Sequence, residues 1–336
     1  MFEKILKEEP VYRIKQVKKA FFQDLIESWE EATTLPKNLR QKLSEIYLIP
    51  EFEIEKILFS KNKQAIKVLF KLKDDFKIES VLMQHIDGRR TVCVSSQVGC
   101  SVGCKFCATG QQGFKRNLSS IEILSQVLFF ARLLKKTNKK VSNIVFMGMG
   151  EPFLNYDNVI ETIKILNDKE GFNLGARHIS ISTAGIIEGI KKFTKEKLQV
   201  NLAISLHAPN NEIREKLMPL NKIYPIEKIL TTVNDYIKKT KKRVMFEYLM
   251  INEINDTPEK AKELIEVLKK LKSRLYFINL ISFNSIDYSQ FKPSPEWKIK
   301  KFKEILEKAG ITVSQRYRFG EEIKAACGQL TGYISK

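Results

Sequence analysis

From Thr91 onward the chain alternates short strand-like runs with helical stretches, and this alternation limits the folds that it can adopt. Six runs are rich in β-branched and aromatic residues and have the length of a strand. They are TVCVSS, NIVFMGMG, HISISTAG, VNLAISLHA, RVMFEYLM and LYFINLISF. Because strands that alternate with helices usually pair in parallel through right-handed crossovers, the pattern predicts an α/β fold. Both an open doubly wound sheet and a partial (β/α) barrel satisfy this pattern.

Polar or glycine-rich residues follow five of these six predicted strands, at their carboxyl ends. They form a cysteine-rich loop and the segments GMGEP, STAG, SLHAP and SFN. Ligands of βα architectures bind at this edge of the sheet. Because polar or glycine-rich residues follow so many strands, we predict a ligand that extends along the whole carboxyl edge of the sheet. A partial barrel accommodates such a ligand better than a single crevice does, and we therefore expect a barrel-like arrangement.

The chain before Thr91 has a different character. Residues 11–45 are predicted to be helical, because apolar side chains recur at steps of three and four. These side chains are Val11, Ile14, Val17, Phe21, Leu25 and Trp29. Thr34 has the position of a cap for a second helix. Residues 52–93 contain short β-rich runs separated by polar turns, which predicts a small antiparallel layer. We therefore divide the chain into a helical accessory domain (1–50), a β-rich connector (51–90) and the α/β region (91–336).

Helix ends in the α/β region also have recognisable signals. Ser119 and Glu122 have the spacing of a capping box. Thr257-Pro258 and Ser294-Pro295 predict helices with proline at the first helical position. Gly310 is a plausible terminator of the last helix.

Lysine and arginine outnumber aspartate and glutamate by 58 to 39, a formal charge of +19. Such an excess attracts polyanions, and nucleic acid is the first candidate. Lysines that only solvate helix faces would give the same composition, so the charge alone leaves both explanations open. The first ten residues do not resemble a signal peptide, and no apolar run approaches about 18 residues. We therefore expect a cytoplasmic protein without membrane contact.

Three of the five cysteines, Cys100, Cys104 and Cys107, lie in one loop with the pattern CxxxCxxC. A structural zinc site needs a fourth ligand, and no histidine has a suitable spacing. A redox CxxC pair would leave the third cysteine unexplained. Three thiolates on an iron–sulfur cube would leave one iron free to bind a small molecule. The pattern, with Phe106 before the last cysteine, resembles the signature of the radical S-adenosylmethionine superfamily.

Longer motifs narrow this resemblance. TVCVSSQVGCSVGCKFCATGQQGFKRN, MGMGEPFLN, ISTAG, AISLHAPN and AACGQL are together very similar to the RlmN/Cfr family of RNA adenine methyltransferases. The similarity extends from about Tyr12 to Tyr333. It implies a partial (β/α)6 barrel of the TIM-like radical SAM type with a small N-terminal helical accessory domain. It also implies a [4Fe-4S] cluster and two molecules of S-adenosylmethionine (SAM) per turnover.

The resemblance assigns roles to individual residues. Cys100, Cys104 and Cys107 would hold the cluster, Cys327 would carry a methyl group as S-methylcysteine, and Cys93 would resolve the protein–RNA cross-link through a transient disulfide with Cys327. Glu79 would accept the ring proton. The residues implied as SAM contacts are Gly150, Glu151, Ser182, Ser205, Leu206, His207 and Asn284.

Each assignment has a simpler alternative. A lone strand cysteine such as Cys93 is usually a small buried apolar residue, and Cys327 could be the same. Glu79 could be a solvated strand residue, and His207 could be a buried histidine that orients a neighbour. His85 and His178 are expected to be structural. The basic residues near the predicted active-site loops that could contact RNA are Lys115, Arg116, Arg177, Arg214 and Arg318.

The implied substrates are adenosines of 23S rRNA, at the peptidyl-transferase loop, and of tRNA, next to the anticodon. QQGFKRN and MGEPFLN resemble the RlmN branch, which methylates C2 of adenine, and C8 methylation as in the Cfr branch is the alternative. The implied partners are RNA and an electron donor such as flavodoxin or ferredoxin, and we expect a monomer. A different class of function, an iron–sulfur RNA-binding or sensor protein without turnover, needs neither Cys93 nor Cys327.

Overall fold

The computed structural model of the chain describes residues 2, 6, 9–47, 49, 52–286 and 289–332. The N-terminal region contains α1 (Val11–Lys18), a π-helical turn (Lys19–Gln23), a short 3-10 turn (Trp29–Glu31) and α2 (Lys37–Ile46). No helix within the described ranges is long and apolar enough to cross a membrane.

The predicted single helix through Trp29 is wrong. The chain leaves the helical path after Gln23, and Leu25 has a φ of +52°, which a right-handed helix does not allow. The first residue of the predicted apolar stripe, Val11, is 74% exposed. The second helix begins after Pro36, which is its N-cap, and not after Thr34.

Residues 53–93 form four antiparallel strands, as the sequence predicts. They are β1 (Glu53–Phe59), β2 (Ala65–Lys71), β3 (Lys77–Gln84) and β4 (Arg90–Cys93). A two-stranded hairpin, β5 (Gln97–Gly99) and β6 (Phe114–Asn117), then encloses the cysteine loop.

The predicted parallel strands are present, with a further short strand at the end. They are β7 (Asn143–Phe146), β8 (Ile179–Thr183), β9 (Asn201–Ser205), β10 (Val244–Met250), β11 (Tyr276–Ser282) and β12 (Val313–Gln315). β4 pairs in parallel with β7 and thereby joins the antiparallel strands to the parallel strands. Together they form one sheet of ten strands in the order β1-β2-β3-β4-β7-β8-β9-β10-β11-β12. Strand order follows chain order from β4 onward. A doubly wound sheet requires a reversal of that order, so the arrangement is that of a partial barrel.

Among the described residues, eight α-helices follow the cysteine loop and the strands. They are α3 (Ala108–Gln111), α4 (Ser120–Lys135), α5 (Tyr156–Asn167), α6 (Ile187–Phe193), α7 (Asn211–Leu217), α8 (Ile226–Thr240), α9 (Pro258–Leu268) and α10 (Glu296–Lys308). The capping box of α4 and the Thr257 cap of α9 are confirmed. α10 begins one residue later than predicted, because Pro295 is its N-cap and lies outside the helix. The helices bury their apolar faces in a core that is continuous with the sheet.

Gly99 and Gly103 of the β5–β6 hairpin differ in whether the surrounding atoms leave room for a side chain. Both have positive φ, +71° at Gly99 and +68° at Gly103. A β-carbon at Gly99 would lie 1.8 Å from the carbonyl oxygen of Gly113, whereas one at Gly103 would meet no atom within 4 Å. The strand contact therefore excludes any side chain at Gly99.

We predict that Gly103→Ala lowers the free energy of unfolding by about 1 kcal/mol, the cost of the left-handed conformation for a residue with a β-carbon. Gly99→Ala adds a backbone collision that the hairpin must open to relieve, so we expect a loss of about 3 kcal/mol or more. Urea unfolding of both variants beside the wild type measures the difference. Equal losses would contradict the steric argument.

Candidate active site

The three cysteines of the CxxxCxxC pattern line one cavity at the carboxyl ends of the parallel strands. Cys100 is anchored by its N–H, which donates to Gly113 O at 3.0 Å, and Cys107 directly precedes α3. Burial raises the pKa of Cys100 to about 12 and raises those of Cys104 and Cys107 as well. The thiolates therefore need a bound cation for stabilisation, and sulfur ligands of this kind suit iron or other soft metal ions.

The glycine-rich turn after β7 forms a second wall of this cavity. Gly150 has a φ of +100°, and a β-carbon there would lie 2.5 Å from the Gln97 side chain. The next residue, Glu151, is 3% exposed and accepts hydrogen bonds from Ala184 N at 2.7 Å and Phe153 N at 2.9 Å. Burial raises its pKa to about 7. A buried carboxylate beside the cavity favours a cationic ligand group such as an ammonium.

Hydroxyl groups at the ends of β8 and β9 meet a carboxylate on β10. Ser182 Oγ donates to Glu247 Oε2 at 2.6 Å and lies 3.4 Å from Ser205 Oγ. All three residues line the cavity. Sequence reasoning predicted both serines but missed Glu247. The available signal was a single acidic residue within the otherwise apolar run RVMFEYLM.

His207 orients a neighbour, as one of its two interpretations expects, and it lies where the predicted SAM contact would require it. It lines the cavity, and its Nδ1 accepts a hydrogen bond from Leu249 N at 3.1 Å. Its ring packs edge-on against Phe106, with centroids 5.0 Å apart. Burial lowers the pKa of His207 to about 3, so the ring is neutral and its Nε2 carries the proton. Leu206 is fully buried, and its carbonyl oxygen accepts from Arg214 at 3.2 Å.

Cys93 and Cys327 line a second, adjoining cavity, although 234 residues separate them in sequence. Both are free thiols in the structure. Asn284 Nδ2 donates to the Cys327 carbonyl oxygen at 3.1 Å, and the Asn284 Oδ1 atom is buried without a protein partner. Asn284 therefore lies in the cysteine-pair cavity, whereas Gly150, Glu151, Ser182, Ser205 and His207 line the cysteine-loop cavity. Leu206 is not among the lining residues of either cavity.

The C-terminal segment that carries Cys327 is tied to the cysteine loop. Ala108 N donates to Gly328 O at 2.7 Å, and Thr109 Oγ1 donates to Leu330 O at 2.6 Å. Cys327 and Leu330 line both cavities, so the two cavities lie side by side.

Arg316, which sequence reasoning missed, lines the cysteine-pair cavity. Its Nη1 lies 3.5 Å from Glu247 Oε1 and 3.1 Å from Met147 Sδ. Burial raises the pKa of Cys93 to about 12, and the positive charge of Arg316 opposes that rise. Arg316 therefore supplies the positive charge that a reactive thiolate requires.

Comparisons with known proteins agree with this geometry. The radical SAM superfamily matches residues 94–265. A probable dual-specificity RNA methyltransferase RlmN of Dictyoglomus thermophilum is 46% identical over 98% of this chain and 92% of its own length. The corresponding protein of Geobacillus kaustophilus is 44% identical over 96% of this chain and 87% of its own length. The chain belongs to the RlmN family of radical SAM enzymes.

The fold comparison supports the same placement. The crystal structure of a radical SAM methyltransferase from Sphaerobacter thermophilus has a TM-score of 0.94 and 40% identity, and the match covers 98% of this chain and 96% of that one. The family membership and fold class expected from the sequence are thus confirmed, and the superfamily implies a [4Fe-4S] cluster and SAM.

Glu79 is not the solvated strand residue that the simpler alternative assumed. It is 1% exposed, and its carboxylate lies 2.8 Å from Lys67 Nζ. It also accepts hydrogen bonds from the backbone of Thr331 at 2.7 Å and Gly332 at 3.3 Å. In this RlmN-family chain Glu79 thus holds the segment that carries Cys327.

The basic residues predicted near RNA differ in their surroundings. Arg214 is fully buried, so its prediction as an RNA contact is wrong. Arg116 is paired with Asp74 and Glu122, and Arg177 precedes β8, at the opposite end of the strands from the site. Lys115 and Arg318 are the exposed members of the set near the site.

The two remaining histidines lie outside the cysteine-loop cavity. His85 Nε2 lies 3.1 Å from Thr91 Oγ1, and the ring packs edge-on against Phe319, so the structural prediction fits His85. His178 is exposed at the start of β8 and makes no comparable contact among the described residues.

We predict that Glu151→Gln changes the pH dependence of stability. Because the pKa of Glu151 rises from 4.5 to about 7 on folding, the folded state keeps a proton that the unfolded state has lost between these values. Wild-type stability should therefore fall by about 3 kcal/mol, relative to Glu151→Gln, as pH rises through this window. Urea unfolding of both cluster-free proteins between pH 4.5 and 7.5 gives the free energy of unfolding of each as a function of pH. A constant difference between the two proteins over this range would contradict the raised pKa of Glu151.

Proposed function

We propose that this protein is a radical SAM methyltransferase that methylates C2 of adenosine in 23S rRNA and in tRNA next to the anticodon. The observation that carries the proposal is that Cys93 and Cys327 line one cavity, and that Cys327 also lines the adjoining cavity of the cysteine loop. C2 is an sp2 ring carbon of adenine and is not a usable nucleophile toward the sulfonium of SAM. Polar methyl transfer therefore fails, and a radical route with a covalent intermediate is needed. Two free thiols beside the cluster loop suit that route.

Cys100, Cys104 and Cys107 would hold the [4Fe-4S] cluster, and their all-sulfur, half-buried ligand set fits that group. When bound, the cluster would supply the electron for reductive cleavage of SAM. The surrounding residues then bind and orient the ligand. Glu151 offers the carboxylate for a cationic group, and Ser182 and Ser205 offer hydroxyls for a ribose.

Gly150, Leu206, His207 and Asn284 would complete the SAM contacts. The backbone conformation of Gly150 brings its peptide groups to the cavity without a side chain in between. His207 presents an Nε2–H donor, since its Nδ1 is already occupied by Leu249 N. The unpartnered Oδ1 of Asn284 can accept from a ligand hydroxyl or amine near Cys327.

The two cysteines would act in sequence. Cys327 sulfur accepts a methyl group from one SAM, and the methyl group would then give a hydrogen atom to the deoxyadenosyl radical that a second SAM supplies. The resulting methylene carbon bonds to the adenine carbon. Glu79 accepts the ring proton, and the unpaired electron of the adduct would return to the oxidised cluster. Cys93 then attacks the Cys327 sulfur, so that an S–S bond forms, the C–S bond breaks, and its electron pair and a proton complete the new methyl group on the base. An external reductant regenerates both thiols.

The negative charge of Glu79 suits a proton acceptor, but its carboxylate already accepts hydrogen bonds from the C-terminal backbone. Lys67 supplies the counter-charge that a buried carboxylate needs. Because Thr331 and Gly332 occupy one of its oxygen atoms, the carboxylate accepts a proton from RNA only after these donors move. Release of the C-terminal segment would therefore accompany the proton transfer.

RNA would bind at the mouth of this site. The charge of +19 favours a polyanion, and Lys115 and Arg318 are exposed near the site. The target adenosine must leave its stack to reach Cys327, so a loop or an unpaired nucleotide is the expected substrate. We further propose that the protein acts as a cytoplasmic monomer with flavodoxin or ferredoxin as electron donor.

We predict different failures for the two cysteine variants in an anaerobic assay with SAM, a reductant and both RNAs. Cys327→Ala should lose methylation by at least about a thousandfold, since the methyl carrier is gone. Cys93→Ala should accumulate a protein–RNA cross-link that a denaturing gel reveals, because the resolving thiol is absent. The double variant is the control and should form no cross-link.

Methylation by Cys327→Ala would contradict the covalent mechanism. A reconstituted wild-type enzyme that fails to cleave SAM under reduction would instead favour the non-catalytic iron–sulfur protein.

The position of the methyl group is tested separately. Mass spectrometry of nucleosides from the modified RNA should detect 2-methyladenosine, as the likeness to relatives named RlmN supports. 8-Methyladenosine as the only product would overturn the C2 assignment and favour the Cfr-type reaction.

A further inference from the structure

Arg214, on α7, is a fully buried cation with only neutral hydrogen-bond partners. It is 0% exposed. Its guanidinium donates to the carbonyl oxygens of Ala184 (2.6 Å), Ser205 (3.2 Å), Leu206 (3.2 Å) and Tyr224 (3.1 Å) and to Asn221 Oδ1 (3.0 Å). Within the described part of the chain, no carboxylate lies at ion-pair distance from it.

Such a charge is unfavourable unless something anionic compensates for it. Burial lowers the pKa of Arg214 to about 10. Arg116, by contrast, has carboxylate partners that raise its pKa. Hydrogen bonds to carbonyl dipoles satisfy the five N–H groups of Arg214 but do not neutralise its charge. A negative charge on Cys104, one of the predicted cluster ligands, would oppose the decrease in the pKa of Arg214.

The position of Arg214 relates it to the cluster site. Ala184 and Ser205, two of its hydrogen-bond acceptors, line the cavity that contains Cys104. Arg214 therefore lies one layer of residues behind the cavity wall. It also joins the ends of β8 and β9, so the wall cannot rearrange without breaking its hydrogen bonds.

We propose that Arg214 is the buried counter-charge of the iron–sulfur cluster and raises the cluster's reduction potential; this inference rests on the cluster assignment in the proposed function. A [4Fe-4S] core of charge 2+ with three thiolates has a net charge of −1, and one-electron reduction makes it −2. A fixed positive charge in a weakly polarisable interior stabilises the reduced form more than the oxidised form. Arg214 thus eases electron entry, and it does so without contacting SAM or RNA.

A purely structural role is the competing explanation, because Arg214 also organises four carbonyl groups. Two substitutions of Arg214 distinguish the effect of its charge from the effect of its hydrogen bonds. Arg214→Lys keeps the charge but loses the five-donor geometry, whereas Arg214→Gln keeps a hydrogen-bond donor but loses the charge. Arg132→Gln is a matched control, because Arg132 on α4 is part-buried and donates to the carbonyl oxygens of Leu25 and Ile26, away from the cysteine loop.

The experiment compares full-length proteins reconstituted anaerobically with iron and sulfide. Iron content and absorbance first establish that each protein holds a cluster, and a redox titration followed by electron paramagnetic resonance then gives its potential. Arg214→Gln should make the cluster at least about tenfold harder to reduce, a shift of ~59 mV to more negative potential. Arg214→Lys should remain within about threefold of the wild type, and Arg132→Gln should not differ from it.

Equal shifts in the Lys and Gln variants, or an unchanged potential in the Gln variant, would overturn the proposal and leave Arg214 a structural role. If the Gln variant binds no cluster, Arg214→Met is the second neutral variant. Folded Gln and Met variants without a cluster, beside a Lys variant that retains one, would support the counter-charge, whereas loss of the cluster from the Lys variant too would overturn it. A wild-type chain that binds no iron would contradict the proposed function itself.

Discussion

The parallel pairing of β4 with β7 is the contact on which the site depends. It aligns Val92 with Ile144 and Cys93 with Val145, and it joins the antiparallel strands to the barrel wall in one sheet. The chain then continues in register, since Val94 N donates to Val145 O and Gly148 N donates to Val94 O. A single run of backbone hydrogen bonds thus places Cys93, the cysteine loop and the glycine-rich turn at the same edge.

The site also depends on how buried charge is arranged around it. Arg316 has an acidic partner, Glu247, which is in turn bonded to Ser182. Arg214 has carbonyl and amide partners instead. Arg316 lines the cavity of the cysteine pair, and Arg214 lies behind the wall of the cysteine-loop cavity. Because charges act strongly in a protein interior, the two arginines act on different parts of the site, Arg316 on the cysteine pair and Arg214 on the wall of the cysteine-loop cavity.

Local patterns predicted the barrel well and the N-terminal region poorly. The strands ending near Cys93, Ser182 and Ser205 were predictable, since alternating apolar runs and terminal glycine or polar residues are local features. The predicted helix through Trp29 is wrong because periodicity does not reveal the left-handed conformation of Leu25, which ends the helical path. The same limitation applies to Arg214, which in sequence has the appearance of any surface arginine.

By itself the sequence determined the α/β class, the family and the identity of the cysteines, because these are encoded in spacing and in contiguous motifs. Only the tertiary structure decided what surrounds them. Glu79 and Lys67 form a buried pair that holds the C-terminal segment, and Arg316 and Glu247 meet across strands that are far apart in the chain. Burial and charge pairing are properties of contacts between distant segments. No local pattern carries them, and they appear only when the sheet is assembled.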